Sequence, residues 1–252
     1  MSKAPVEYRS NSQRARVNTE GWIAQNGFCP ACGSVLNRTP NNTRVLDFRC
    51  KKCDSGFELK SRKKDFGKII TDGAYGSMIA AIREDRQPNL FLLRYQMPFV
   101  VTHLKVLPRR FLVEPIIIKR PPLSPNARRA GWVGCNLNLG LIPSTALIAC
   151  VENSIELPRK TIRTAWEQTA ALDEVAPRAR GWLAVTLGTV ERLGKREFTL
   201  GDVYQHENEL ARLFPNNRNI RAKLRQQLQL LRDMGLVRFL GTGKYEALRQ
   251  KG

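Results

Sequence analysis

Two Cys-x-x-Cys pairs, Cys29-Pro30-Ala31-Cys32 and Cys50-Lys51-Lys52-Cys53, stand seventeen residues apart. Two such pairs at this separation bring four thiolates into a tetrahedron without straining the chain, which suits Zn²⁺ at about 2.3 Å per bond. Gly33 follows the first pair, where backbone amides must turn towards sulfur and a residue without a Cβ eases the turn. A site of four thiolates has no open position, so the zinc role is structural. A redox dithiol or an iron–sulfur cluster would use the same residues, but no redox-type sequence surrounds them. Cys135 and Cys150 stand apart from these pairs and read as packing residues.

A second pattern brackets the second of these pairs. Arg44-Val45-Leu46-Asp47-Phe48 reads as a strand whose end presents a carboxylate, and Phe57-Glu58-Leu59-Lys60 reads as the next. Side chains alternate along a strand, so Glu58 and Lys60 share a face. Asp47 and Glu58, with the Leu59 carbonyl, form an oxygen ligand set for Mg²⁺. There the metal would acidify a bound water and stabilise charge at a phosphodiester, while Lys60 would orient or help deprotonate that water. An aspartate followed by Glu-x-Lys is common by chance, and a strand-edge ion pair explains it equally well. Its position around the second zinc knuckle favours the catalytic reading. His103 and His206 are the two histidines, and both read as structural. Neither a Ser/His/Asp system nor an ATP-binding loop competes.

Charge agrees with such a substrate. Lysines and arginines number 42 against 22 acidic residues, for a net charge of +20. That excess points to a polyanion, with nucleic acid ahead of a membrane surface. No apolar stretch is long enough to span a bilayer, and the opening MSKAPVEYRS lacks a secretory core, so the expected setting is a reducing cytoplasm.

Periodicity places an opening helix after Ser10 or Asn11, with Ala15, Thr19, Trp22 and Ile23 on one face and Arg14 and Arg16 off it. A second helix is expected from about Asp72 to Arg83. Strands are expected at Leu90–Tyr95, Phe99–Leu107, Ile116–Ile118 and Leu147–Val151, giving a mixed α/β sheet flanked by helices. Pro121, Pro122 and Pro125 lead into a basic loop, Asn126–Gly134. The character changes near Asp173–Arg180, where Pro177 interrupts a charged run. Beyond it come three helices: one lined by Leu183, Leu187 and Val190, one capped by Thr199 and carrying Val203 and Leu210, and one capped by Asn219 with Ile220, Leu224, Leu228 and Leu231 inward. A hairpin follows, Leu236–Leu240 and Lys244–Leu248 around Gly241-Thr242-Gly243. This is the order of a winged helix-turn-helix. Its third helix exposes Arg221, Lys223, Arg225 and Gln226, as a major-groove helix should.

With these residues in view, the chain resembles the DpnI restriction endonuclease family, whose members cut GATC sites when the adenine is methylated. The likeness is carried by Ser10-Asn11-Ser12-Gln13, by Asp47 through Lys60, by Asp72-Gly73-Ala74-Tyr75, by Ala127 through Asn136, and by Arg225-Gln226-Gln227-Leu228-Gln229. Val45-Leu46 stand before Asp47 where a proline-containing lead is common, and Glu152 to Arg180 matches poorly. The resemblance implies a PD-(D/E)xK endonuclease domain with the zinc site over residues 1–178 and a winged-helix DNA-binding domain over 179–252. It implies Mg²⁺ chemistry at Asp47, Glu58 and Lys60 on methylated double-stranded DNA, by a protein expected to act as a monomer. The segment holding Arg128, Arg129 and Trp132 would then lie near the methylated base, an aromatic plane suiting the methyl and the arginines suiting phosphates or guanine edges. Two other readings fit the same residues: a non-catalytic zinc-ribbon and winged-helix regulator, or a structure-specific repair nuclease of the same superfamily.

Overall fold

The computed structural model describes residues 10–40 and 46–247. Arg44, Val45 and Leu248, assigned to strands above, lie outside the described residues. In chain order the elements are α1 (Asn11–Asn26), β1 (Leu36–Arg38), β2 (Phe48–Cys50), β3 (Gly56–Arg62), β4 (Ile69–Ala74), α2 (Tyr75–Arg83), β5 (Asn89–Gln96), β6 (Val100–Leu107), β7 (Ile117–Pro122), β8 (Val133–Asn138), β9 (Ile148–Glu152) and β10 (Ile155–Glu156). There follow α3 (Arg159–Glu167), α4 (Pro177–Arg192), β11 (Glu197–Thr199), α5 (Leu200–Tyr204), α6 (Glu207–Leu213), α7 (Ile220–Asp233), β12 (Val237–Gly241) and β13 (Lys244–Ala247), with short 3-10 turns between several of them.

Packing divides the chain into two compact units that interleave in sequence. The first combines the chain up to Phe66 with Pro88–Leu107 and Ile148–Glu167. It holds a seven-stranded mixed sheet in the order β1-β2-β3-β5-β6-β9-β10. The β3–β5 pair is parallel, whereas β2–β3 and β5–β6 are antiparallel. Parallel neighbours need a crossover, and here the intervening chain runs through β4 and α2. The core joins Ile23 of α1 to Phe48, Phe57, Phe91, Leu104, Val106, Ile148 and Trp166, and the Phe57 and Phe91 rings stack at 4.8 Å. Ser10 caps α1 by accepting from the Gln13 amide at 3.1 Å.

The second unit holds Gly67–Gln87, Pro108–Leu147 and everything from Gln168 onward. A three-stranded sheet, β4-β8-β7, and a second, β11-β13-β12, belong to it. The split by packing therefore differs from the linear one at 178/179, because β4, α2, β7 and β8 associate with the C-terminal helices.

Several boundaries move. Asp72 lies in β4, and α2 begins at Tyr75 rather than near Asp72. Thr71 and Asp72 pair with Asn136 and Cys135 of β8, a strand whose first two residues, Val133 and Gly134, fall in the expected loop. Pro177 interrupts nothing: it occupies the first turn of α4, where its missing N–H has no partner to lose. Glu174, Ala176, Arg178 and Ala179 around it are exposed, but the charged run ends on a buried arginine. Arg180 is 1% exposed and Arg110 fully buried. Arg180 donates to Asp85 at 2.8 Å, and Arg110 donates to Asp173 at 2.7 Å and to Thr169 Oγ1 at 3.0 Å. Buried guanidinium groups persist when paired and hydrogen-bonded in this way.

The winged helix gains a third strand, β11, paired with β13. The helix expected to carry both Val203 and Leu210 is two helices, α5 and α6, parted at Gln205 and His206. Thr199 and Asp202 form a reciprocal capping box for α5. Leu183, Val190, Val203, Leu210, Ile220, Leu224, Leu228 and Leu231 are buried, and Trp182 stacks on Phe214 at 3.7 Å. Helix α4 is buried almost all round, and its Gly188 shows why. A Cβ there would sit 2.3 Å from the Leu141 carbonyl oxygen. Gly188→Ala is expected to destabilise the protein by about 1–3 kcal/mol through overpacking, read as an earlier denaturant midpoint with unchanged slope. An unshifted midpoint would refute this close packing. Among the described residues no helix is long and apolar enough to cross a membrane.

Candidate active site and metal centre

The metal centre is built from two copies of one local structure. In the first knuckle the Gly33 amide donates to the Cys29 carbonyl at 2.7 Å and the Cys29 amide to Ser34 at 2.8 Å. In the second, Asp54 donates to Cys50 and Cys50 to Ser55, both at 2.9 Å. Gly33 and Asp54 both have positive φ, +77° and +59°. Each knuckle is thus Cys-x-x-Cys, one left-handed residue, then serine. Asp54 tolerates the conformation that glycine adopts freely.

The four Sγ atoms of Cys29, Cys32, Cys50 and Cys53 lie within 4.8 Å of one another and form a group able to hold a metal ion. Two of the separations are 3.5 Å, Cys29 to Cys53, and 3.4 Å, Cys32 to Cys50. A tetrahedron with 2.3 Å bonds has edges of about 3.8 Å, and these two separations and the 4.8 Å limit lie on either side of that value. Burial pushes the Cys29 thiol well up. Cys32 is pushed up by its own burial, but hydrogen bonds from Ser34 and the neighbouring thiols outweigh that and hold it at about 6. Cys135 and Cys150 are buried outside this cluster, with burial alone pushing Cys150 up to about 12.

The second knuckle is also the tip of the β2–β3 hairpin, whose register pairs Phe48 with Phe57 and Arg49 with Gly56. Asp47 stands immediately before β2, and neither Leu46 nor Asp47 is itself in a strand. Its backbone is held from both sides: its amide donates to Phe57, and its carbonyl accepts from Thr39, each at 3.0 Å. The side chain is fixed as well, since the Leu59 amide donates to Asp47 Oδ2 at 2.7 Å.

Asp47, Glu58 and Leu59 line one cavity of about 290 Å³ together with Arg16, Thr19, Glu20, Leu46 and Ser61. Lys60 is not part of that lining, but its Nζ lies 2.5 Å from Glu58 Oε1, and its charge acts on Asp47. Asp47 sits above the ordinary carboxylate range. Burial is the main cause and the charge of Glu20 adds to it, against the Leu59 amide, Arg16 and Lys60. A buried carboxylate raised in this way is stabilised by an added cation, and the Asp47 and Glu58 side chains lining the cavity offer oxygens that suit a hard divalent one. The residues present fit such an ion.

Glu20 was not among the expected site residues. It lies on α1 and is buried, bonded to Arg16 at 2.5 Å and to Arg38 of β1. The spacing of Arg16 and Glu20 reads in sequence as an ordinary helical ion pair. Its burial becomes visible once β1 supplies Arg38.

The expected DNA contacts are all in the second unit. Arg128 and Arg129 are exposed, and Trp132 is half-buried. The Arg129 guanidinium lies 4.8 Å from the Trp132 ring centroid, and a Cβ on Gly134 would come within 2.8 Å of the same ring. The indole thus packs closely against Gly134 and lies within cation–π distance of an arginine. On α7, Arg221 pairs with Glu207 at 2.7 Å, Arg225 donates to the Tyr204 hydroxyl at 3.0 Å, and Lys223 donates to Gln226 at 2.8 Å. His206 lies 3.2 Å from Glu209 in the same domain.

Comparison with known families covers nearly the whole chain. A family model described as DpnI, the Dam-replacing family, matches residues 3–175. A second, described as the Dam-replacing HTH domain, matches residues 178–247.

Proposed function

The chain belongs to the DpnI, or Dam-replacing, family, and from that membership we propose a Mg²⁺-dependent endonuclease that cuts double-stranded DNA at adenine-methylated GATC sites. The observation that carries the chemistry is the meeting of Asp47, Glu58 and Leu59 in one cavity, with Lys60 bonded to Glu58. Asp47 and Glu58, with the Leu59 carbonyl, would hold Mg²⁺. When bound there it supplies an acidified water and charge stabilisation at the phosphodiester. The Leu59 amide fixes the Asp47 carboxylate, and Lys60 takes the proton-handling and charge-offsetting role beside Glu58. A non-catalytic regulator has no need for an under-compensated carboxylate in a cavity.

Residues 179–252 act in this reading as a DNA-binding domain, with Arg221, Lys223, Arg225 and Gln226 of α7 facing the groove. Arg128, Arg129 and Trp132 form a second reader. One methyl group in an apolar pocket discriminates by roughly 10–200-fold, so methyls on both strands read twice multiply that factor. The protein is expected to act as a monomer in the cytoplasm.

One plasmid prepared from adenine-methylating and non-methylating hosts tests this. With Mg²⁺ the methylated plasmid is expected to give a fixed set of fragments ending at GATC. The unmethylated copy should stay whole, and neither should be cut in chelator. Equal digestion of both copies would remove the methyl requirement, and fragments without a common sequence would favour a structure-specific nuclease.

A further inference from the structure

Glu20 and Arg16 line the cavity alongside Asp47 and Glu58, yet the proposed chemistry leaves both without a role. The Glu20 side chain is 9% exposed, a costly position for a carboxylate unless cations compensate it. Both of its oxygens are engaged. Oε1 accepts from Arg16 Nε at 2.5 Å, and Oε2 accepts from Arg38 Nη2. A carboxylate so committed is a poor extra metal ligand but a good anchor for a guanidinium. Arg38 secures it from β1, while Arg16 sits four residues earlier on α1.

Arg16 differs from its partner. Its side chain is 62% exposed while lining the cavity, and its positive charge reaches Asp47. Glu20 holds it by Nε, so the two-nitrogen end of the guanidinium is not consumed by that bond. This end is the fork that matches non-bridging phosphate oxygens. An arginine held from behind also loses less side-chain freedom when it meets its ligand.

We propose that Arg16, oriented by Glu20, grips the phosphodiester that enters the Asp47–Glu58 cavity. Arg16 is then a phosphate-contacting catalytic residue, and Glu20 is a positioning residue that acts through it. The proposal rests on the phosphodiesterase reading of this cavity.

Four variants of the full-length protein test it: Arg16→Gln, Glu20→Gln, the double variant and Asp47→Asn. Arg16→Gln alters an exposed side chain and leaves Glu20 paired with Arg38, so it should still fold, which a thermal melt checks. Binding of methylated duplex is measured without divalent ion across a salt series. Arg16→Gln is expected to lower the slope of log affinity against log salt by about 0.9, the loss of one phosphate contact. Single-turnover cleavage at saturating DNA should fall about 100-fold, as for removal of a preorganised charge-stabilising donor. Glu20→Gln should keep the salt slope and cleave more slowly. The double variant should be no slower than Arg16→Gln alone, because Glu20 has nothing left to orient. An unchanged salt slope in Arg16→Gln, or multiplying rate losses in the double variant, would overturn the proposal. Asp47→Asn separates the two levels. If it cuts as fast as the parent, the cavity is not the nuclease site and this proposal goes with it. If it is inactive while Arg16→Gln keeps full rate and slope, the arginine assignment alone is wrong.

Discussion

Asp47→Asn is expected to abolish cleavage and, in metal-free buffer, to raise the melting temperature of the same protein. The loss follows from removing a ligand charge from the proposed Mg²⁺ site; several kcal/mol of transition-state stabilisation corresponds to a rate loss of about 10³-fold or more. The gain follows from linkage. Burial, the largest influence, raises the Asp47 pKa above its ordinary value. A carboxylate raised on folding contributes stability that is fully present below its unfolded pKa and lost as pH rises through the folded one. At neutral pH the ionised group therefore opposes folding. Asparagine keeps an acceptor for the Leu59 amide without that charge. The difference in melting temperature should shrink as pH falls below the carboxylate range. Adding Mg²⁺ should raise the melting temperature of the parent and not of the variant, since an ion that binds the native state stabilises it. Retained cleavage by Asp47→Asn would refute the assignment of the site.

The paired stability and activity outcomes matter because they separate a functional carboxylate from a structural one. A strand-edge ion pair, the alternative meaning of Asp47 with Glu-x-Lys, would lose stability on neutralisation and leave cleavage intact. Sites that carry chemistry often hold charge at some cost to the fold. Glu20 is the opposite case in the same cavity, a buried carboxylate fully engaged by two guanidinium groups.

What could be read in advance follows the range of the signals. The zinc knuckles, the Glu58–Lys60 alternation and the winged-helix order depend on spacings of a few residues, which sequence displays directly. Asp47 and Glu58 fall into one cavity because the knuckle turns β2 back onto β3, and that hairpin is local. Long-range pairings were hidden. Val133 and Gly134 look like the end of a basic loop until Ile69–Ala74 and Ile117–Pro122 flank Val133–Asn138 as strands. Asp72 carries the pattern of the helix that follows, yet its pairing with Cys135 keeps it in β4. Arg110, Arg180 and Glu20 are charged residues that read as surface. Their burial depends on partners at Asp173, Asp85 and Arg38, which no periodicity reveals. The one signal available was the four-residue spacing of Arg16 and Glu20, and on a helix that spacing usually marks a solvated pair.

Removal of the metal from the four-cysteine cluster is expected to cost both the fold of the first unit and the activity. The β2 strand is three residues long and meets β3 through two registered pairs, too little to fix a hairpin by itself. The knuckle at its tip sets the separation of Asp47 and Glu58, while Cys29 ties the chain leaving α1 to the same point. Cys29 and Cys50 are fully buried, so an empty cluster leaves unpaired thiols where ligand bonds belonged. Structural zinc contributes folding free energy outright, about 10–16 kcal/mol in isolated finger peptides. Even a third of that, at roughly 2–4 °C per kcal/mol for a chain of this size, lowers the melting temperature by about 7–21 °C. Cys50→Ser, or prolonged chelation, should lose one equivalent of zinc by elemental analysis, together with cleavage and this margin. Cys150→Ser should keep the zinc, because that buried thiol lies outside the cluster. A Cys50→Ser protein that melts and cuts like the parent would show that the knuckles do not hold the active hairpin together. Iron with visible absorbance in place of zinc would replace the structural role by a redox one.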